Sequence, residues 1–130
     1  MMTHNLHWSN AAIELIAHRF KLLSEPSRLR LLYALFSGEK TVGELIEITQ
    51  MAQANVSHQL TLLADGGLIV RRKTQQKVWY RLADPTLIDL NGLVCQSLLQ
   101  RGTHVLASLQ DDKHATRDDE EGACHVAINF

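Results

Sequence analysis

The sequence has little of what interrupts a helix or cross-links a chain. Its 130 residues include 2 prolines, 7 glycines and 2 cysteines. Few prolines and glycines favour long uninterrupted helices, because these two residues are the least favourable in a helix interior. Two cysteines, at positions 95 and 124, cannot form a framework of several disulfides. The cysteine content therefore fits a reducing compartment.

Long hydrophobic runs are also missing. No apolar stretch approaches the roughly 20 residues that a membrane-spanning helix needs. The first residues lack the basic and then apolar segments of a secretory signal. We therefore expect a soluble, cytoplasmic protein. The length suits one compact domain, and an apolar share of 45% is enough to build its core.

Charge of one sign does not dominate the whole chain, but it does dominate two segments. The formal net charge is −1, which excludes a uniformly basic nucleic-acid coat. Residues 53–81 contain five basic residues and one acidic residue, a local charge of +4. Residues 111–121 contain six acidic and two basic residues, a local charge of −4. The near-zero net charge is therefore the sum of a basic middle segment and an acidic tail.

Helical periodicity predicts four helices in the first half of the chain. The first should run from about residue 8 to residue 23, and the second should restart at Pro26 and end at Gly38. Thr41 and Glu44 have the spacing of a capping box, which predicts a short third helix that buries Leu45 and Ile48. The fourth should begin near residue 52 and stop at residues 66–67. It should bury the residues Val56, Leu60 and Leu63.

The period then changes from 3.6 to 2. Residues 68–73 and 77–82 read as two strands, and residues 74–76 read as the turn between them. A last long helix should open at residues 84–85. Its apolar side is formed by Leu87, Leu90, Val94, Leu98, Val105 and Leu109. We expect residues 1–110 to form one domain and residues 111–130 to form an acidic, flexible tail.

This order of elements is that of a winged helix-turn-helix, a mainly helical fold with a small β-hairpin. The fourth helix leaves amides and hydroxyls on its outer faces, which can hydrogen-bond base edges in the major groove of DNA. These candidates are Gln53, Asn55, Ser57, His58, Gln59 and Thr61. The hairpin adds side chains suited to phosphates or the minor groove, namely Arg71, Lys73, Gln75, Gln76 and Lys77. Each feature alone is common on a solvated surface, and only their consecutive order favours DNA binding.

The central half of the chain closely resembles the winged-helix repressors of the ArsR/SmtB family. The likeness is carried by residues 22–32, 42–45, 54–63, 67–69 and 78–82, and its most specific part is Ser57-His58-Gln59-Leu60 followed by Leu63. The resemblance implies a cytoplasmic homodimer that represses at an inverted-repeat operator and releases it when an inducer appears. We expect dimerisation through the first and last helices, because their apolar residues exceed what one small domain can bury.

The chain departs from the family pattern at both metal-sensing elements. Many relatives carry Cys-Val-Cys at the start of the third helix, where this chain has Thr41, Val42 and Gly43. Others use Asp-x-His and a later histidine pair on the last helix, where this chain has Asp89-Leu90-Asn91 and a nearly isolated His104. A zinc site needs about four nitrogen, oxygen or sulfur ligands. Both sites are therefore incomplete in this sequence.

Two sensing chemistries stay open. Redox or ligand sensing would use Cys95 and Cys124, although a bridge between them requires the tail to fold back. Cys95 also fits a small apolar residue at the dimer seam. A transition metal ion such as Zn(II) or Ni(II) would use ligands near the C-terminus, with the N-terminal histidines as further suspects. These metal candidates are His104, His114, Cys124 and His125, then His4, His7 and His18.

The alternatives to an inducible repressor are a winged-helix protein-interaction module and an effector-independent DNA-binding regulator. The basic hairpin argues against the first of these, because such a module has no need of a charged DNA-facing edge. An enzyme is not expected. Ser57 and His58 are neighbours, and their side chains would diverge by about 100° on a helix, which is unsuitable for a nucleophile and its base.

Overall fold

The computed structural model describes residues 8–102, which form five helices and a small antiparallel sheet. The order along the chain is helix, helix, strand, two helices, two strands and a final helix. The elements are α1 (Asn10–Leu23), α2 (Pro26–Leu35), β1 (Lys40–Thr41), α3 (Val42–Thr49), α4 (Gln53–Asp65), β2 (Ile69–Lys73), β3 (Val78–Leu82) and α5 (Thr86–Arg101).

Local capping explains where the first three helices begin. The Ser9 hydroxyl accepts a hydrogen bond from the Ala12 N–H, so α1 starts two residues later than the periodicity predicted. Glu25 caps α2, and Pro26 occupies its first turn, where a missing N–H costs nothing. The predicted capping box of α3 is confirmed, since Thr41 and Glu44 each accept from the other's backbone N–H.

The end of α4 is built by two glycines, as predicted. Gly67 has a φ of 76°, a left-handed conformation that other residues seldom adopt. Its N–H donates to the Ala64 carbonyl, and the Leu68 N–H donates to the Leu63 carbonyl, both at 3.0 Å. This is the Schellman arrangement, and it satisfies carbonyls that the helix itself leaves unpaired. The chain turns sharply there and enters β2 one residue later than expected.

The sheet has three strands where the sequence predicted two. Its order is β1-β3-β2, with all pairs antiparallel. The unpredicted strand, β1, is two residues long and pairs Lys40 with Tyr80 and Thr41 with Trp79. A segment this short has no readable period. The turn between β2 and β3 closes through the Thr74 N–H and hydroxyl, which donate to the Lys77 carbonyl at 2.8 and 3.0 Å.

The core lies between α2, α3, α4 and the base of the sheet. It contains the predicted Leu45, and its other members come from every helix except α1 and from β2 and β3. They include Leu31, Leu32, Leu35, Val56, Leu60, Leu63, Leu68, Ile69 and Tyr80. Two predictions about burial are wrong. Ile48 is 44% exposed, because the side of α3 that faces the core carries Val42, Leu45 and Ile46, and Ile48 lies outside it.

Leu87 is the second correction. The sequence places Leu87 on the apolar side of the last helix, which we expect to pack on a partner chain, yet Leu87 is 6% exposed and belongs to the core. The helix that carries it is stabilised at its start by Asp84, whose carboxylate accepts from the Thr86 N–H at 2.9 Å. That hydrogen bond holds the pKa of Asp84 below its usual range. The predicted helix residues Val105 and Leu109, and the acidic tail, lie outside the described residues.

Within residues 8–102, no helix combines the length and apolarity needed to cross a bilayer.

Candidate nucleic-acid interface

The helix-turn-helix is formed by α3, the turn at residues 50–52, and α4. Thr49 ends α3 with its hydroxyl donating to the Leu45 carbonyl at 2.7 Å. Gln50 then adopts φ 57° and ψ 23°, and its side-chain Nε2 donates to the Glu47 carbonyl at 2.7 Å. Among residues 8–102 it is the one non-glycine residue with positive φ. This left-handed residue redirects the chain so that α4 packs one face on the core.

The opposite face of α4 is polar and open to solvent. Val56, Leu60 and Leu63 are buried, which leaves five of the six predicted base-reading residues exposed. The exposed ones are Gln53, Asn55, Ser57, His58 and Thr61. Thr61 donates its hydroxyl hydrogen to the Ser57 carbonyl at 3.0 Å, so only its oxygen stays open to an outside donor.

Gln59 differs from the other five candidates. It is half-buried, and both ends of its amide are engaged within the chain. Its Oε1 accepts from Arg28 Nη1 at 3.2 Å, and its Nε2 donates to Asn55 Oδ1 at 3.2 Å. Gln59 therefore links α4 to α2 through its side chain, whereas the other five candidates are exposed to solvent.

Arg28 is a residue whose role the sequence analysis did not assign. Besides Gln59 it reaches two carbonyls at the end of α1, with Nε 2.7 Å from the Leu22 oxygen and Nη2 3.4 Å from the Lys21 oxygen. One guanidinium thus joins α1, α2 and α4. Arg28 lies in the family-like run of residues 22–32, which could have indicated a structural role. Its contact with Gln59 could not be predicted from the sequence, because the two residues are 31 positions apart.

The wing, meaning β2, β3 and the turn between them, is anchored by an ion pair. Arg72 donates from Nη2 to Glu39 Oε1 at 2.7 Å and from Nε to Oε2 at 3.0 Å. The hydrogen bond lowers the pKa of Glu39 and raises that of Arg72. The Arg72 guanidinium also lies 5.5 Å from the Trp79 ring centre, and Lys77 Nζ lies 5.9 Å from it. Both cations are at the distance of cation–π contacts.

The remaining predicted wing residues are exposed and lie around the hairpin. Arg71 and Arg72 are consecutive on β2 and so point to opposite faces of the sheet. Arg72 is exposed but paired with Glu39. The other polar wing residues are exposed too, namely Arg71, Lys73, Gln75, Gln76 and Lys77. The wing therefore presents positive charge to solvent, as the polar side of α4 presents amides and hydroxyls.

The described residues do not fit a metal site. Within 8–102 there is no group of three histidine, cysteine or acidic side chains that could hold an ion. Thr41, which occupies the position of a thiolate ligand in many relatives, has its side chain in the capping box. Cys95 lies on α5 and is 8% exposed, and His18 is exposed on α1. The other candidates, His4, His7, His104, His114, Cys124 and His125, lie outside the described residues.

Comparison of the sequence with known proteins identifies its family. The model of the bacterial regulatory protein arsR family matches residues 25–70, from the cap of α2 into β2. The arsenical resistance operon repressor of Staphylococcus aureus is 39% identical over 70 residues, which cover 54% of this chain and 67% of that protein. The chain belongs to the ArsR family. This ArsR-family chain is also 36% identical over 74 residues to a probable mercury resistance operon repressor of Streptomyces lividans.

That second match covers 57% of the ArsR-family chain and only 59% of the Streptomyces protein, so the chain spans about six tenths of that relative. Both relatives are named as repressors, in agreement with the argument against an enzyme.

Solved structures confirm that this ArsR-family chain is a winged helix-turn-helix. The crystal structure of Rv0081 from Mycobacterium tuberculosis superposes with a TM-score of 0.65 at 29% identity, covering 71% of this chain and 93% of that one. A homodimeric winged helix-turn-helix DNA-binding domain from Mycobacterium bovis, described as a possible ArsR-family regulator, gives 0.62 at 25% identity. It covers 93% of this chain and all of that domain.

Proposed function

We propose that this ArsR-family chain is a sequence-specific DNA-binding transcriptional repressor. The observation that carries the proposal is an exposed polar face on α4 together with the exposed cations of the wing in the same small domain. A helix with one buried face and one face of amides, hydroxyls and an imidazole fits the major groove, where such groups distinguish base pairs. The basic wing supplies the phosphate contacts that set affinity and orientation.

The start of α4 supports the same orientation. Its cap residue, Ala52, has no side-chain acceptor, so the N–H groups of the first turn have no side-chain cap. A helix start in this condition favours an anion, because its N–H groups and the helix dipole both point toward it. A DNA phosphate at this position would set the first turn of α4, with Gln53 and Asn55, against the groove.

The second part of the proposal is a homodimer on an inverted repeat. Large apolar side chains remain exposed on α1 and α5, beyond what the chain buries by itself. They are Ile13, Leu15, Phe20, Leu93, Val94 and Leu98, each between 48% and 72% exposed. Pairing these helices with those of a second copy would bury the patch, and the homodimeric mycobacterial domain supports this arrangement. To read an inverted repeat, such a dimer would hold its two α4 helices about 34 Å apart, one turn of duplex.

The third part is release by an inducer in the cytoplasm. The mercury and arsenical repressors among the relatives support a metal ion, and the two cysteines support a thiol-reactive species. Within residues 8–102 of one copy no group of ligands could hold a metal ion, so we propose that a metal site includes residues outside this range or from a second copy. We place the switch in α5 or beyond, because Cys95 and most of the candidate ligands lie there.

The proposal is tested by binding of the full chain to DNA from the promoter upstream of its own gene. We expect a shifted complex whose affinity falls steeply with salt and exceeds the affinity for random DNA of equal length. Equal binding to both DNAs would contradict sequence-specific repression. Absence of any salt-sensitive binding would favour a protein-interaction module that retains the fold.

A further inference from the structure

A cavity of about 350 Å³ lies between α1, α2 and α5, and none of its lining residues belongs to α4. Its walls are almost entirely apolar and include Phe20, Leu23, Leu29 and Val94. The volume is within the range of small-molecule pockets in proteins, which begins at about 300 Å³. Among residues 8–102, no charged side chain lines it. An ion placed there would lose its hydration without gaining a counter-charge, so the cavity favours a neutral occupant.

Two polar residues lie among these apolar walls. The Tyr33 hydroxyl, on α2, donates to Asn91 Oδ1, on α5, at 2.6 Å. Burial raises the pKa of Tyr33, so the hydroxyl stays protonated and keeps donating to Asn91 Oδ1. Asn91 Nδ2 is buried and finds no hydrogen-bond partner among the described residues. Buried donors of this kind are rare in folded proteins, since each one forfeits its hydrogen bonds to water.

We propose that this cavity binds a small neutral molecule with an apolar body and one carbonyl oxygen, which accepts a hydrogen bond from Asn91 Nδ2. The apolar body would occupy the space between Phe20, Leu23 and Val94. Phe20 and Val94 also belong to the patch proposed for the dimer, so a second copy would cover the mouth of the cavity and enclose the bound molecule. The binding itself does not depend on the proposed function, and only its effect on operator affinity does.

The wall of the cavity is connected to α4. Leu23 and Ser24 line the cavity and directly follow Lys21 and Leu22, whose carbonyls accept from Arg28. The same guanidinium donates to Gln59 on α4. A ligand that moves the end of α1 would therefore change the contact that holds Gln59. This gives the bound molecule a route to operator affinity.

The test uses the full chain and a matched pair of probes, 4-phenylbutan-2-one and butylbenzene, titrated by calorimetry and by NMR of labelled leucine and valine methyl groups. The two probes are similar in size and differ in the carbonyl. We expect the ketone to shift the Leu29 and Val94 methyl signals and to bind about 5- to 10-fold more tightly than the hydrocarbon. Equal affinities, or shifts that avoid these residues, would overturn the proposal.

Three variants sharpen the result. Asn91→Leu should remove the preference for the ketone, while Gln96→Leu, at an exposed position of α5 outside the cavity, should keep it. If Asn91→Leu does not fold, Val94→Trp serves instead, since Val94 is 49% exposed and a larger side chain there should narrow the cavity and abolish binding. Retention of full ketone affinity in Val94→Trp would count against the cavity.

The outcomes for DNA are kept separate. Ketone binding is measured without DNA, and operator binding is measured without ketone. Failure of the first with success of the second overturns the cavity ligand and leaves the repressor intact, and the reverse overturns only the repressor. If the ketone competes with self-association, so that it binds only at concentrations where the chain is monomeric, a second copy fills the cavity and the proposal is wrong.

Discussion

The two central residues of α4 have different structural roles although they are neighbours in the sequence. His58 is exposed on the polar face, whereas Gln59 is half-buried and joined to Arg28 and Asn55. A side chain that makes no structural contact can be removed with little effect on the fold. His58 is therefore the cleaner probe of base recognition, and Gln59 combines recognition with the positioning of α4.

We predict that His58→Ala weakens operator binding by about 1–3 kcal/mol, the range for a lost base contact, and leaves binding to random DNA nearly unchanged. Gln59→Ala should weaken operator binding as well, and it should also lower the free energy of unfolding by about 1 kcal/mol through loss of its hydrogen bonds. Fluorescence anisotropy and urea denaturation measure the two effects. Operator affinities equal to wild type in both variants would refute the assignment of α4 as the reading helix.

At the scale of the elements, the wing has one cation held by an ion pair and others that, within residues 8–102, are exposed without one. Arg72 is held by Glu39, which lies before β1, and so ties the hairpin to the loop after α2. Lys73 and Lys77 are exposed at the turn end of the hairpin. Contacts from such lysines to phosphates carry no sequence information.

Lys73→Ala and Lys77→Ala should accordingly weaken binding to operator and random DNA alike. Each lost phosphate contact should also reduce the slope of log affinity against log salt by about 1. Titrations at several salt concentrations give both quantities. Arg101→Ala, at the end of α5, is the matched control and should leave the slope unchanged. A selective loss of operator binding in the lysine variants would indicate base contacts from the wing.

The anchor of the wing should depend on pH. The pKa of Glu39 is lowered in the folded state by its hydrogen bond with Arg72. Its contribution to stability is therefore present above the pKa of the unfolded chain, about 4.3, and is lost as the pH falls through the lower folded value. Glu39→Gln should lower the melting temperature at neutral pH and flatten its decline on the acid side.

Glu47→Gln, exposed on α3, is the control for this experiment and should leave the acid-side slope as in wild type. A Glu39→Gln profile parallel to that of wild type at every pH would mean that the ion pair does not contribute to stability in solution.

At the scale of the whole molecule, the exposed apolar faces of α1 and α5 predict a homodimer. In a twofold interface Leu98 would be buried in both copies, so Leu98→Glu would bury two unpaired charges and should weaken association by about 3 kcal/mol or more. Light scattering at micromolar concentration should give a dimeric mass for wild type and for the control Gln96→Glu, and a lower mass for Leu98→Glu. A monomeric wild type would refute the dimer.

The response to an inducer is also a property of the whole molecule. It is tested by operator-binding titrations with Zn(II), Ni(II), Cu(I), peroxide and polysulfide. Coupling of about 1–3 kcal/mol would change operator affinity by roughly 5- to 150-fold. We expect a response in wild type that is lost in Cys95→Ser, in Cys124→Ser or in a chain truncated after Gln110. A full response from the truncated chain carrying Cys95→Ser would place the sensor elsewhere, with His4 and His7 examined next.

The sequence by itself determined the helices and the hairpin, because the signals for them are local. The box of Thr41 and Glu44 spans four positions, and the glycines that end α4 are adjacent to the residues they cap. The family-like run around Ser57 and His58 likewise lies within one helix. Such features depend on neighbours along the chain, so they can be read without the fold.

Only the tertiary structure decided which residues share a site, because those contacts join positions far apart in the sequence. Arg28 and Gln59 are 31 residues apart, Glu39 and Arg72 are 33 apart, and Tyr33 and Asn91 are 58 apart. Burial shows the same limit. The apolar period alone cannot distinguish a residue that packs on its own core, such as Leu87, from one left for a partner, nor can it show that the apolar residue Ile48 stays exposed. The partner of a side chain follows from how helices pack, and packing is a property of the whole fold.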